Sequence, residues 1–182
     1  MNKQIKKGIF LLELVLVLGI ISALVVAAFI VYPKVQASQR AQVERNNIAT
    51  IQAGVKSLYT SASGFTGLSN TVAVQAKIFP NNMLSGSESA VKPVNAFKGD
   101  VILGAAANGP SKAPGSSFNI TYSNVPVAEC TKIVTAAAGN FYEVGLGVAA
   151  NVKAAGDVLD VAKTATQCSA GGNSNTFIFT AI

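Results

Sequence analysis

From Ile9 to Tyr32 the chain is an almost unbroken apolar run of 24 residues with one charged side chain, Glu13, near its start. As a helix rising 1.5 Å per residue, the run measures about 36 Å, more than the roughly 30 Å hydrocarbon core of a bilayer, so it spans a membrane with some tilt. A helix that is apolar all round has no face for water and requires lipid or other helices around it. A carboxylate inside such a helix costs roughly 2.5 to 3.5 kcal/mol on insertion scales and marks a functional site for which a partner is expected. Lys3, Lys6 and Lys7 precede the run, and the positive-inside rule puts that end in the cytoplasm and the remaining 150 residues across the membrane.

Those 150 residues are one domain's worth, enough to bury a core, and are rich in Gly, Ala, Ser, Thr and Asn, the texture of a secreted, loop-bearing domain. The formal net charge of +6 does not point to nucleic acid. Three of the fourteen basic residues lie in the first eight positions, and the other eleven are scattered without interleaved aromatics. The only cysteines, Cys130 and Cys168, fall in the part assigned to an oxidising compartment, so a structural disulfide is expected. The alternatives, a redox thiol or metal ligands, have neither a CxxC pair nor any histidine behind them.

Past Pro33 the helical composition continues from Lys34 to Tyr59 with a changed pattern. Ile48, Ile51, Val55 and Leu58 recur at spacings of three and four, while Lys34, Gln36, Arg40, Gln42, Glu44, Arg45 and Gln52 are assigned to the other faces. This predicts one long helix in two halves, 9–33 apolar and 34–59 amphipathic, with a kink where Pro33 removes a backbone hydrogen bond. From Thr60 a long connection is expected through about Lys98, with a short helix over Thr71 to Phe79 and with Phe65, Leu68, Ile78 and Phe79 as its anchors. Strands are predicted at Asp100 to Leu103, Ser117 to Tyr122, Asn140 to Ala150 and Thr176 to Ala181, and a loop at Gly109 to Ser116. A helix opened by Pro126 carries Cys130, and one over Asp157 to Gln167 delivers Cys168. The fold class is α+β: a long N-terminal α-helix packed on an antiparallel sheet with small helices, 60–182 forming the head.

Gly8-Ile9-Phe10-Leu11-Leu12-Glu13, behind a basic leader, resembles a type IV prepilin. The likeness continues through Ser63 to Asn70, Asn95-Ala96-Phe97-Lys98-Gly99, the Val125 to Ala138 segment with Cys130, and Cys168 close to a final strand, most like the type IVb major pilins of the bundle-forming and toxin-coregulated kind. The resemblance implies that a prepilin peptidase removes residues 1–8 by cutting between Gly8 and Ile9 and methylates the Ile9 amine. Glu13 is then the fifth mature residue, and Cys130 pairs with Cys168. It also implies an inner-membrane precursor of a Gram-negative bacterium, an assembly platform with an ATPase, and a homopolymeric extracellular filament acting in adhesion, aggregation or motility, with a host-cell or bacterial surface as receptor. Physics points the same way: the freed amine of Ile9, with a reference pKa of about 7.7 to 8, is largely protonated at neutral pH and is a ready counter-ion for Glu13 of a neighbour.

Two other readings have definite discriminators. A type II secretion pseudopilin shares the N-terminal chemistry, whereas a major pilin is abundant in sheared surface filaments. A secreted soluble domain behind an ordinary signal peptide, cut after Ala28, begins at Phe29 rather than Ile9. Catalysis is not expected: the chain has no histidine, nucleophile elbow or Walker loop, and Gly145-Leu146-Gly147 is too short a glycine signal for nucleotide binding. The conceivable carboxylate pairs, Asp157 with Asp160 and Asp100 with Glu143, read as solvated surface, and no cofactor or metal is expected. Asn119-Ile120-Thr121 fits a glycosylation sequon.

Overall fold

The computed structural model describes residues 3–87, 91–147 and 150–182, with side chains from Phe10 onward. It has two compact units, one ending at Ser38 and the other Gln39–Ile182. One α-helix, α1 (Lys3–Leu58), runs through the boundary with Pro33 inside it. In the first unit every described residue from Phe10 to Val35 is exposed. Ser22, within the apolar stretch, donates its hydroxyl to the Leu18 carbonyl at 2.7 Å, a bond that removes its need for water.

In the second unit α1 buries Ala41, Glu44, Asn47, Ile48, Ile51 and Val55, the stripe of an amphipathic helix. Three sequence assignments change here. Leu58, expected in the stripe, is the last helical residue and is 45% exposed. Glu44, expected on an outer face, precedes Ile48, Ile51 and Val55 by four, seven and eleven residues and so shares their buried side. Gln52 is half-buried, and its Nε2 donates to the Asn140 carbonyl at 2.8 Å.

The connection after α1 is more ordered than expected. Helix α2 (Asn70–Gln75) starts at Ser69, whose hydroxyl accepts from the Val72 N–H, and ends before Lys77, which has a φ of 53°. A 3₁₀ turn at Asn81–Met83 leads into a two-stranded antiparallel ladder of β1 (Leu84–Ser85) and β2 (Lys92–Pro93). The anchors lie as expected: Leu68, Ile78 and Phe79 are buried, and Phe65 packs on Phe118 with ring centroids 4.7 Å apart.

The main sheet contains β3 (Val101–Ala106), β4 (Ser117–Val125), β5 (Glu143–Leu146), β6 (Ala150–Lys153) and β7 (Asn175–Ala181), all antiparallel, in the order β3-β4-β7-β5-β6. The expected single strand Asn140 to Ala150 is instead two strands. Gly147, at φ 63°, ends β5, residues 148 and 149 lie outside the described residues, and β6 returns against β5. Helix α3 (Val127–Ala137) follows Pro126, which sits at the cap position rather than inside the first turn. Helix α4 (Val161–Ala170) begins later than expected because Asp160 caps it, accepting from the Lys163 N–H at 2.8 Å.

Alternation along the strands puts Leu103, Phe118, Ile120, Tyr122, Val144, Phe177 and Phe179 into one core with Ile48, Ile51 and Val55 of α1. Tyr122 stacks on Phe177 with centroids 5.4 Å apart, and Phe179 meets Phe141 at 4.7 Å. Both outer strands have backbone groups bonded from outside the sheet. Along β3, Asn70 accepts from the Leu103 N–H and donates to the Val101 carbonyl, and the Leu68 carbonyl takes the Ala105 N–H. On β6 the Asp160 N–H donates to the Val152 carbonyl.

Candidate assembly site

The first unit presents the feature that most needs a partner. Phe10, Leu12, Val15, Leu24, Phe29 and Ile30 are each 62–76% exposed, and contiguous apolar surface of this extent marks an interaction or membrane site. This is the one helix among the described residues long and apolar enough to cross a membrane. Glu13 lies on it, exposed, four residues beyond Ile9 and so on the same side of the helix. Gly8 and Ile9 are helical, and the Ile9 side chain is not among those described. Among the described residues Glu13 makes no ion pair within its own chain. Pro33 has no N–H, which leaves the Phe29 carbonyl without its usual helical donor.

The cysteines meet. Cys130 of α3 and Cys168 of α4 are bonded, with Cα atoms 5.9 Å apart and both residues fully buried. Lys153 of β6, 9% exposed, donates from Nζ to the carbonyls of Ala138 at 2.9 Å and Phe141 at 2.6 Å. It thereby places a cation where the backbone after α3 has run out of internal donors. Lys153 was not visible as a functional residue in the sequence.

The carboxylates considered as catalytic pairs serve local structure. Asp160 caps α4, Asp157 accepts from the Val158 N–H, and Glu143 accepts from Asn151. Asp100 bridges to Val94 beside β3, whereas Glu143 lies on β5, with β4 and β7 between those strands. In the sequon, Asn119 Oδ1 accepts from the Thr180 hydroxyl at 2.9 Å. Gly145 lies within β5 and Gly147 turns out of it.

A second feature went unread in the sequence. Glu44 is 1% exposed; its Oε1 accepts from the Ala96 N–H at 2.7 Å and its Oε2 from Asn47 Nδ2 at 3.3 Å. Burial pushes its pKa up, and hydrogen bonds from Ala96, Asn47 and Tyr122 oppose that rise. Burial also raises the Tyr122 hydroxyl well above its ordinary value, with the Glu44 charge adding to it. The signal lay in helical phase, since Glu44 is in register with three buried aliphatic residues.

Comparison with known proteins puts this geometry in context. A family model described as PilS N terminal matches residues 38–182. Two relatives from Escherichia coli, of O111:H- and of O127:H6 strain E2348/69, are each named the major structural subunit of bundle-forming pilus. Each is 22% identical over 169 residues, covering 91% of this chain and 84% of the relative. Among solved structures the chain is similar to a type IV b pilin from Salmonella typhi, with a TM-score of 0.60 and 18% identity over 76% of this chain and 97% of that one.

Proposed function

We propose that this chain, which belongs to the PilS N-terminal family and has the type IVb pilin fold, is the major structural subunit of a type IV pilus. The observation that carries this reading is the uncovered apolar helix of the first unit, joined in sequence to a disulfide-bonded α+β domain. The precursor sits in the inner membrane with residues 1–8 as a cytoplasmic leader. A prepilin peptidase cuts between Gly8 and Ile9 and methylates the new amine. Residues 9–33 then form the filament core, 34–59 the amphipathic continuation, and 60–182 the head, with Pro33 bending the junction.

Glu13 gives the assembly its register. Moving an apolar helix from lipid into a bundle of identical helices gains little hydrophobic energy, because acyl chains are about as apolar as Leu. Such a bundle has little to choose between neighbouring axial positions, whereas an unpaired charge within it is strongly unfavourable. Pairing Glu13 with the Ile9 amine of an adjacent copy selects one position. Repeated without closure, this heterologous contact builds a helical filament. The weak gain from burial also calls for external work from an assembly platform and ATPase, and the finished filament serves adhesion, aggregation or motility.

The test joins mass spectrometry of the mature protein to electron microscopy of the sheared surface fraction. Mature subunits are expected to begin at methylated Ile9 and to be recovered as filaments. Glu13→Ala is expected to give a stable, membrane-inserted subunit that polymerises poorly. A mature start at Phe29, or wild-type filament yield from Glu13→Ala, overturns the reading.

A further inference from the structure

Asn108 and Gly109 lie in the loop between β3 and β4 and form the one Asn-Gly step in the chain. The backbone on either side of the bond between them is held. The Asn108 N–H donates to Ser117 Oγ at 3.0 Å, and the Gly109 carbonyl accepts from the Lys112 N–H at 2.9 Å. The Asn108 carboxamide and the Gly109 N–H, by contrast, have no hydrogen-bond partner among the described residues. Asn108 is exposed, so water reaches its side chain. Gly109 has no Cβ to shield its nitrogen.

We propose that Asn108 is a self-modification site, at which the folded head converts an asparagine to aspartate and isoaspartate without an enzyme. The Gly109 nitrogen gives its proton to hydroxide and attacks Asn108 Cγ. A bond forms between that nitrogen and Cγ, the Cγ–Nδ2 bond breaks, and Nδ2 takes a proton from water and leaves as ammonia, which closes a succinimide ring. Water then adds to either ring carbonyl and opens the ring. Breaking the new bond to Cγ gives aspartate; breaking the original peptide bond gives isoaspartate, whose main chain runs through Cβ and Cγ. The net change consumes a water and releases an ammonia, with no oxidant or reductant.

The fold withholds the same reaction from other asparagines. Asn70, Asn95 and Asn175 have their carboxamides engaged in hydrogen bonds. Asn140 and Asn173 have carboxamides without partners among the described residues, but the N–H that follows each is taken. Phe141 donates to the Ala138 carbonyl at 3.2 Å, and Ser174 to the Gly171 carbonyl at 3.3 Å. Asn46 lies inside α1, where the helical ladder holds the next N–H. Asn81 precedes Asn82, whose side chain crowds the nitrogen that would attack.

Conversion adds a negative charge to a loop, residues 107–116, whose only charged side chain is Lys112. The isoaspartate form also lengthens the main chain between two fixed points. One is the Asn108 N–H on Ser117 Oγ. The other is Gly109, which lies so close to the next strand that a Cβ on it would stand 2.6 Å from the Ser116 carbonyl oxygen. With no room there for a longer chain, the loop loosens around Lys112, which is exposed and has a φ of 52°. A loosened, exposed loop is where proteases cut.

The experiment ages the full chain in detergent micelles at mildly alkaline and mildly acidic pH, beside Asn108→Gln and beside wild type unfolded in urea. Peptide mass spectrometry, with fragmentation that separates isoaspartate from aspartate, then maps each sample. Folded wild type is expected to convert at Asn108 ahead of every other asparagine, faster at alkaline pH, with an acidic shift of a single charge on isoelectric focusing. Asn108→Gln, whose extra methylene disfavours ring closure, is expected to keep its charge. Aged wild type is also expected to be cut by trypsin after Lys112 faster than the equally aged variant. Conversion confined to the unfolded chain, conversion first at another asparagine, or equal tryptic cutting of aged wild type and variant overturns the proposal. The wild-type map stands alone should the variant fail to fold. All measurements are made on unassembled subunits, so their outcome is independent of whether the chain polymerises.

Discussion

Asn95 offers a sharp test of how the head is held together. It is 4% exposed, and its side chain makes three bonds: Oδ1 accepts from the Phe97 and Gly99 N–H groups, each at 2.9 Å, and Nδ2 donates to the Ser123 carbonyl at 2.7 Å. The turn it organises lies tight against β4, since a Cβ on Gly99 would stand 1.9 Å from the Ser123 oxygen. The same turn presents the Ala96 N–H to Glu44. Asn95→Ala removes all three bonds and strands the buried Gly99 N–H. At about 1 kcal/mol net for each of the bonds with Phe97 and Ser123, and 1–3 kcal/mol for the buried Gly99 donor left alone, the loss comes to about 3–5 kcal/mol. Asn95→Asp keeps both accepted bonds and loses the donated one, so it should cost less than the alanine variant and recover in acid, where a protonated carboxyl can donate to Ser123. The assay is urea unfolding followed by the near-ultraviolet circular dichroism of the tyrosines. An Asn95→Ala variant within about 1 kcal/mol of wild type would refute the reasoning, because it would mean that water satisfies the turn as well as Asn95 does.

Other expectations concern the disulfide that joins α3 to α4 and the Lys153 bonds that tie the chain after α3 to β6. Replacing both Cys130 and Cys168 by Ala, or reducing the bond, should cost roughly 3–4 kcal/mol, read as a lowered urea midpoint; an unchanged midpoint would show that the reduced unfolded chain is no freer than the oxidised one. Lys153→Met should cost about 2–4 kcal/mol, because two buried carbonyls lose a charged donor. A melting temperature equal to wild type would show that those carbonyls find other partners.

Much of this molecule could be read from periodicity and residue chemistry. The long α1, the amphipathic spacing of Ile48, Ile51 and Val55, and the union of Cys130 with Cys168 needed only local pattern and compartment. Glu44 was misassigned because a carboxylate looks like surface, although its helical phase placed it with the core; its partner Ala96 lies 52 residues away, and no window along the sequence joins them. The β5–β6 hairpin was read as one strand because the apolar stretch runs on through Gly147, whose left-handed backbone turns the chain. Lys153 resembled any solvated lysine, and only the fold brings the carbonyls of Ala138 and Phe141 to it. At the candidate assembly site, Glu13 announced itself because a charge among aliphatic residues is conspicuous without any knowledge of tertiary structure.

The coverage of both margins of the sheet bears on how such a subunit tolerates crowding. A filament holds many identical heads at a local concentration at which bare strands would zip into one another and stiffen into irreversible cross-β aggregates. Here Asn70 and Leu68 occupy the polar groups along one margin, and Asp160 takes a carbonyl on the other. A neighbouring head arriving sideways finds these backbone groups already taken.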